Sequence, residues 1–182
     1  VSVNSFKLIQ NLDTKPPNMS PPDSFTKTWH NKLYPEISPT RPELFAHGKI
    51  VLITGGEVGI GSAIAKSFAQ AGAAAIGIIG HREQHLKNSA ATISAISSST
   101  KVDYTVADIT NKSVLRAAFE QFSSSFGKID ILVSNAGHLL TIAPIDASDD
   151  EDWWQAFEIN VKGSFTRRYK PSFLMLPRMR LF

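Results

Sequence analysis

The stretch "TGGEVGIG", residues 54–61, decides how this chain folds. It follows "KIVLIT" (49–54), a continuous apolar run of the kind that fills a strand buried on both faces. It precedes a segment in which Ile60, Ile64 and Phe68 recur at the four-residue spacing of a helix. A glycine-rich turn between a buried strand and a helix has a physical task. Glycine lets the backbone turn tightly and approach an anion closely, while the N–H groups and dipole of the helix start attract negative charge. Gly55, Gly59 and Gly61 are the residues this reading assigns to a pyrophosphate. Three glycines alone are weak evidence against a plain structural turn; their position between strand and helix supplies the specificity.

The pattern repeats outward from this turn. Gly72 stops the first helix, and "AAAIGIIG" (73–80) predicts a second buried strand. Leu86, Ala90 and Ile93 mark the inner face of a second helix. "KVDYTVAD" (101–108) is rich in β-formers, Thr110 is placed to cap the helix that follows, and Leu115, Phe119, Phe122 and Phe126 give that helix its apolar stripe. "IDILVSN" (129–135) predicts a fourth strand, and "DDEDWWQAFEIN" opens a fourth helix with acids well placed in its first turn. Trp153 and Trp154 are expected to serve core and surface packing rather than a stacking platform. Four β-α units in succession predict an α/β fold with a doubly wound parallel sheet.

The flanks differ from this body. Seven of the ten prolines lie in residues 16–42 among serine, threonine and asparagine, so residues 1–46 are expected to form an arm, 47–166 the folded domain and 167–182 a divergent tail. The tail carries Arg167, Arg168, Lys170, Arg178 and Arg180 without an acid, which leaves the rest of the chain at −2 against a total of +3. Five charges without a reading motif are more often a solvated end than a contact with nucleic acid or an anionic membrane, and neither partner is expected. At 182 residues, 42% hydrophobic and 19% charged, the composition is that of a globular chain. The absence of cysteine rules out thiolate chemistry and cysteine metal ligands and fits a reducing compartment. No apolar run reaches the roughly 18–20 residues of a membrane span, and the first residues lack a signal-peptide order, so a cytoplasmic location is expected.

Four segments in order resemble the short-chain dehydrogenase/reductase family. Thr54-Gly55 with Gly59-Ile60-Gly61 matches its TGxxxGxG signature, and Asp108-Ile109 fall where the family contacts adenine. Asn135-Ala136-Gly137 match its NAG motif, and Asn160 aligns with the asparagine of its next segment. The arm "TWHNKLYPEISPTRPEL" resembles that of fungal members. The resemblance implies a Rossmann fold, of which the first four β-α units are present. It also implies a nicotinamide cofactor held by Gly55, Gly59, Ile60, Gly61, Asp108, Ile109, Asn135, Ala136 and Gly137, and a small carbonyl or alcohol substrate. Other roles stay open for three residues: Asp108 as a loop cap, Asn135 as a brace between strands, and Asn160 as an ordinary helical residue, although asparagine is a poor helix former.

At the end of the second strand, NAD-preferring members carry an acid that receives the ribose hydroxyls. Here "IIGHRE" places His81 at that point and Arg82 after it, so NADP is expected over NAD, with Arg82 on the 2′-phosphate. The alternative is that Arg82 opens a helix toward solvent, its charge offset by Glu83. The family's catalytic tyrosine and lysine stand four residues apart on one helical face, where the ammonium lowers the phenol's pKa. Tyr169 and Lys170 are adjacent and followed by Pro171, so they are not that pair. Asn160 is the catalytic position with a match. The resemblance fades after about Thr166, which suggests a C-terminally truncated member that keeps the cofactor half. Inactivity, a partner-binding remnant, a bare edge on the fourth strand and oligomer formation are the attendant expectations.

Overall fold

The computed structural model of the chain describes residues 30, 32–166 and 180–181. The chain divides between Ile37 and Ser38 into two compact units. In the described part of the first, Pro35–Ile37 make one 3-10 turn and the His30 and Tyr34 rings stack 4.1 Å apart.

The second unit alternates strands and helices. They run β1 (Ile50–Thr54), α1 (Gly59–Gln70), β2 (Ala75–Gly80), α2 (Glu83–Ile96), β3 (Lys101–Val106), α3 (Lys112–Phe126), β4 (Ile131–Ser134) and α4 (Asp150–Phe157). A π-helical stretch Glu158–Gly163, a single turn α5 (Ser164–Thr166) and a two-residue strand β5 (Arg180–Leu181) follow. The sheet order is β3-β2-β1-β4-β5, and every neighbouring pair is parallel.

Two apolar layers sandwich the sheet. Val51, Ile53, Ile76 and Ile78 point to the α1 and α2 side, where Ala65, Ala69, Leu86 and Ile93 complete one core. Leu52, Ile79 and Leu132 point to the other side, against Leu115, Ala118 and Phe122 of α3. All six residues of β2 are buried, which is why its sequence is an unbroken apolar run.

Four expectations need correction. The buried face of α1 is Gly61, Ser62, Ala65 and Ala69, with Ile64 and Phe68 on its flank and Ile60 74% exposed. Small side chains allow α1 to lie close to the sheet, so the large apolar residues mark its edge. The cap of α3 is Asn111, whose side chain accepts from Val114 N–H, because Thr110 is bonded to Asp108. Trp153 and Trp154 stack with each other and with Phe157 on an exposed face of α4, whose buried residue is Ala156. The edge of β4 is not bare: Ile131 and Leu132 pair with Arg180 and Leu181. Tyr169 and Lys170 lie outside the described residues.

Among the described residues, no helix is long and apolar enough to cross a membrane.

Candidate functional site

The segments that leave the C-terminal ends of β1, β2, β3 and β4 line one cavity of about 500 Å³. In a sheet whose strand order reverses beside β1, this is the crevice where ligands bind.

The β1–α1 turn forms its floor. Gly55 takes φ +67°, a conformation that glycine alone adopts cheaply, and its N–H donates to Ile79 O at 2.7 Å. Gly61 is fixed by space instead, since a Cβ there would collide with the carbonyl oxygen of Gly55. Gly59, also at positive φ, opens α1. The N-cap of α1 is Val58, which has no side-chain acceptor, whereas α3 and α4 are capped by Asn111 and Asp149. The first turn of α1 is therefore uncapped by a side chain, and Val58 and Ile60 at this helix start border the cavity, an arrangement suited to an anion. Such a cradle fits the diphosphate of a dinucleotide.

Interlocking polar bonds hold this turn. Thr54 is fully buried; its hydroxyl accepts from Asn135 N–H and Ala136 N–H, both at 3.2 Å, and lies 3.4 Å from Val133 O. The Asn135 side-chain amide donates to Thr54 O and Gly55 O at 3.1 Å. Ser89 Oγ donates to Gly56 O at 2.9 Å and lies 3.2 Å from Ser62 Oγ, joining the turn to both helices.

Of the residues expected at the site, Gly55, Ile60, Arg82, Asp108, Ile109, Asn135, Ala136 and Gly137 line the cavity. Gly59 and Gly61 shape the turn beneath it. Asp108 Oδ1 accepts from the N–H and hydroxyl of Thr110, both at 2.8 Å, so its loop-capping role is present alongside its place in the cavity wall. Asn135 likewise has its bracing role. Asn160 lies in the π-helical stretch, and its side chain clasps the backbone of His138: Nδ2 donates to His138 O at 2.7 Å and Oδ1 accepts from His138 N–H at 2.8 Å.

Sequence reasoning missed Glu57. Its side chain is only 4% exposed, yet it borders the cavity and holds Arg82. Oε2 accepts from Arg82 N–H at 3.0 Å, and Oε1 accepts from Arg82 Nε at 2.8 Å and lies 2.7 Å from Nη2. Burial alone would push this carboxyl up, but the Arg82 N–H and guanidinium, with His81 nearby, outweigh it and hold Glu57 below its usual value. The available signal was a carboxylate inside a turn assigned to an anion.

His138 was missed too. It lines the cavity, and its Nε2 lies 2.8 Å from Asp152 Oδ1. Asp152 Oδ2 accepts from Thr141 N–H at 2.6 Å; that bond foremost, then His138, holds the Asp152 carboxyl below the usual carboxylate range.

Comparison with known proteins agrees with this geometry. The family model described as short chain dehydrogenase matches residues 49–176. A short chain dehydrogenase of Monascus ruber, pigC, is 36% identical over 154 residues, covering 82% of this chain and 50% of that protein. L-Sorbose reductase from Gluconobacter frateurii, solved with NADPH and L-sorbose, is 32% identical with a TM-score of 0.60, covering 67% of this chain and 45% of that one. An NAD+-bound xylitol dehydrogenase is 29% identical with a TM-score of 0.63, covering 66% and 45%. The chain spans about half the length of the curated relatives it matches.

Proposed function

This chain belongs to the short-chain dehydrogenase family, and we propose that it forms the cofactor-binding portion of an NADP-dependent oxidoreductase that interconverts a small carbonyl compound and a secondary alcohol. One observation carries this reading: the N-terminus of α1, capped by no side chain, faces a cavity that also meets the Asn135-Ala136-Gly137 turn. A bound nicotinamide would supply the hydride equivalent exchanged with the substrate. In this reading Gly55, Gly59 and Gly61 shape the diphosphate cradle, Ile60 covers it, and Asp108 and Ile109 border the adenine. Asn135, Ala136 and Gly137 continue the wall toward the reacting end. Arg82, 45% exposed at the end of β2, meets the 2′-phosphate. Asn160 acts on the reacting end by fixing the backbone of His138, which makes it a positioning residue.

A second reading, a nucleotide-binding chain without turnover, is favoured by a separate observation. Among the described residues lining the cavity, none is a tyrosine or lysine. Without the tyrosine and lysine with which the family moves the proton, turnover would slow by about 10² to 10⁴. The cytoplasm and association with further copies belong to our reading as well.

The test is direct. A saturating nucleotide at a hundredfold excess over its Kd stabilises the folded chain by about 2.7 kcal/mol, visible as a raised Tm. NADPH is expected to raise the Tm, and Arg82→Ala to weaken NADPH far more than NADH. No shift with either nucleotide would overturn the site, and equal losses in Arg82→Ala would overturn the NADP assignment alone. A stereospecific ketone reduction assay on the same protein separates turnover from binding.

A further inference from the structure

We infer that Glu57 limits how strongly this site prefers a 2′-phosphorylated nucleotide, by competing for Arg82 as a built-in counter-ion. The inference rests on the assignment of Arg82 to the 2′-phosphate and refines it. Glu57 belongs to the β1–α1 turn, yet it reaches the end of β2 so closely that a Cβ on Gly80 would collide with its Oε2. Its two oxygens take the backbone N–H, Nε and Nη2 of Arg82, and His81 Nδ1 lies 3.5 Å from Oε1.

The consequence follows from counting charges. The guanidinium borders the cavity with its charge already balanced by a buried carboxylate. A 2′-phosphate brings roughly −1.5 to −2 more. If Arg82 swings to meet it, Glu57 becomes a buried anion short of its partner, which is the costly way to break such a pair. If Arg82 stays, phosphate and carboxylate face each other across one cation and repel. His81 relieves this only when protonated. A ribose with a 2′-hydroxyl meets neither penalty, because a hydroxyl can donate to the carboxylate. Glu57 thus subtracts from NADP affinity without an equal subtraction from NAD. A purely structural Glu57, needed only to accept the Arg82 N–H, would act on both nucleotides alike.

Glu57→Gln keeps an acceptor oxygen and removes the charge. The experiment measures calorimetric Kd values for NADPH and NADH with the full 182-residue chain, Glu57→Gln, Arg82→Gln and the double variant. Glu57→Gln is expected to tighten NADPH roughly tenfold while NADH changes less than about threefold. The gain should differ in the double variant, since Glu57 and Arg82 act as a coupled pair. Unchanged affinities, or equal losses for both nucleotides in Glu57→Gln, would overturn the inference. Should Arg82→Gln still weaken NADPH selectively, the NADP assignment would survive that outcome. If Arg82→Gln weakens both alike, the assignment falls and the inference with it. Glu57→Ser, judged by the same selective gain and by its melting curve, covers the case in which the glutamine variant fails to fold.

Discussion

Strands β2 and β4 flank β1 on opposite sides and are built differently. On the β2 side six residues are buried, β3 pairs along its whole length, and α2 and α3 press Leu86, Ile93, Leu115 and Phe122 inward from opposite faces. On the β4 side the strand has four residues, its outer partner among the described residues pairs with Ile131 and Leu132, and α4 contributes Ala156 to the interior while Trp153, Trp154 and Phe157 face out. The site inherits this inequality. Its end at β2 and β3 rests on a closed core, whereas the end near Gly137 and His138 rests on hydrogen bonds. Stability and the geometry of the far end are therefore supplied by different forces.

The largest test of this contrast removes Phe122, which is buried over Gly77 of β2. Phe122→Ala should cost about 3–5 kcal/mol in urea unfolding; a loss under about 1 kcal/mol would mean that the β2 side is not the stable half. Next, Gly61→Ala forces a methyl against the Gly55 carbonyl, which should cost about 1–3 kcal/mol and abolish the nucleotide-induced rise in Tm. Retained binding there would show that the turn can yield.

The hydrogen-bonded side should instead fail locally, and with acid. Because the Asp152 carboxyl is held below its ordinary value, its contribution is complete above the unfolded value of about 3.9 and disappears as pH falls through the lower folded value. Hydrogen exchange at the Thr141 amide should stay protected down to about pH 4 and open below it; opening already near pH 6 would assign the clamp to another group. Smallest of all, Trp154→Ala should shift stability by less than about 0.5 kcal/mol. A loss above about 2 kcal/mol would show that the aromatic face of α4 is covered, and would erase the contrast.

What the sequence disclosed follows the same divide. Strands β1 and β2 are legible because burial on both faces leaves uninterrupted apolar runs, and the order of the TGxxxGxG and NAG segments fixed which strand ends meet. The inner face of α1 was hidden because Gly61, Ser62, Ala65 and Ala69 carry little hydrophobic signal, while Ile60, with the right spacing, faces the cavity. A one-residue error at Thr110 arose where two adjacent residues can both cap, and only the pull of Asp108 decides between them. Glu57 was invisible for a deeper reason. A charged residue in a turn reads as solvated, and its burial depends on Arg82, 25 residues further along the chain. Polar partnerships made across such separations leave no periodicity to find.

The clasp of Asn160 on His138 has a mechanical corollary. A carboxamide offers the same donor and acceptor as a peptide unit, so the helical segment after α4 is joined to the neighbouring loop by what amounts to one extra rung of ladder. Sliding that segment by a single residue would break both bonds together, so its register and the place of His138 at the rim of the crevice are set by the same pair of bonds.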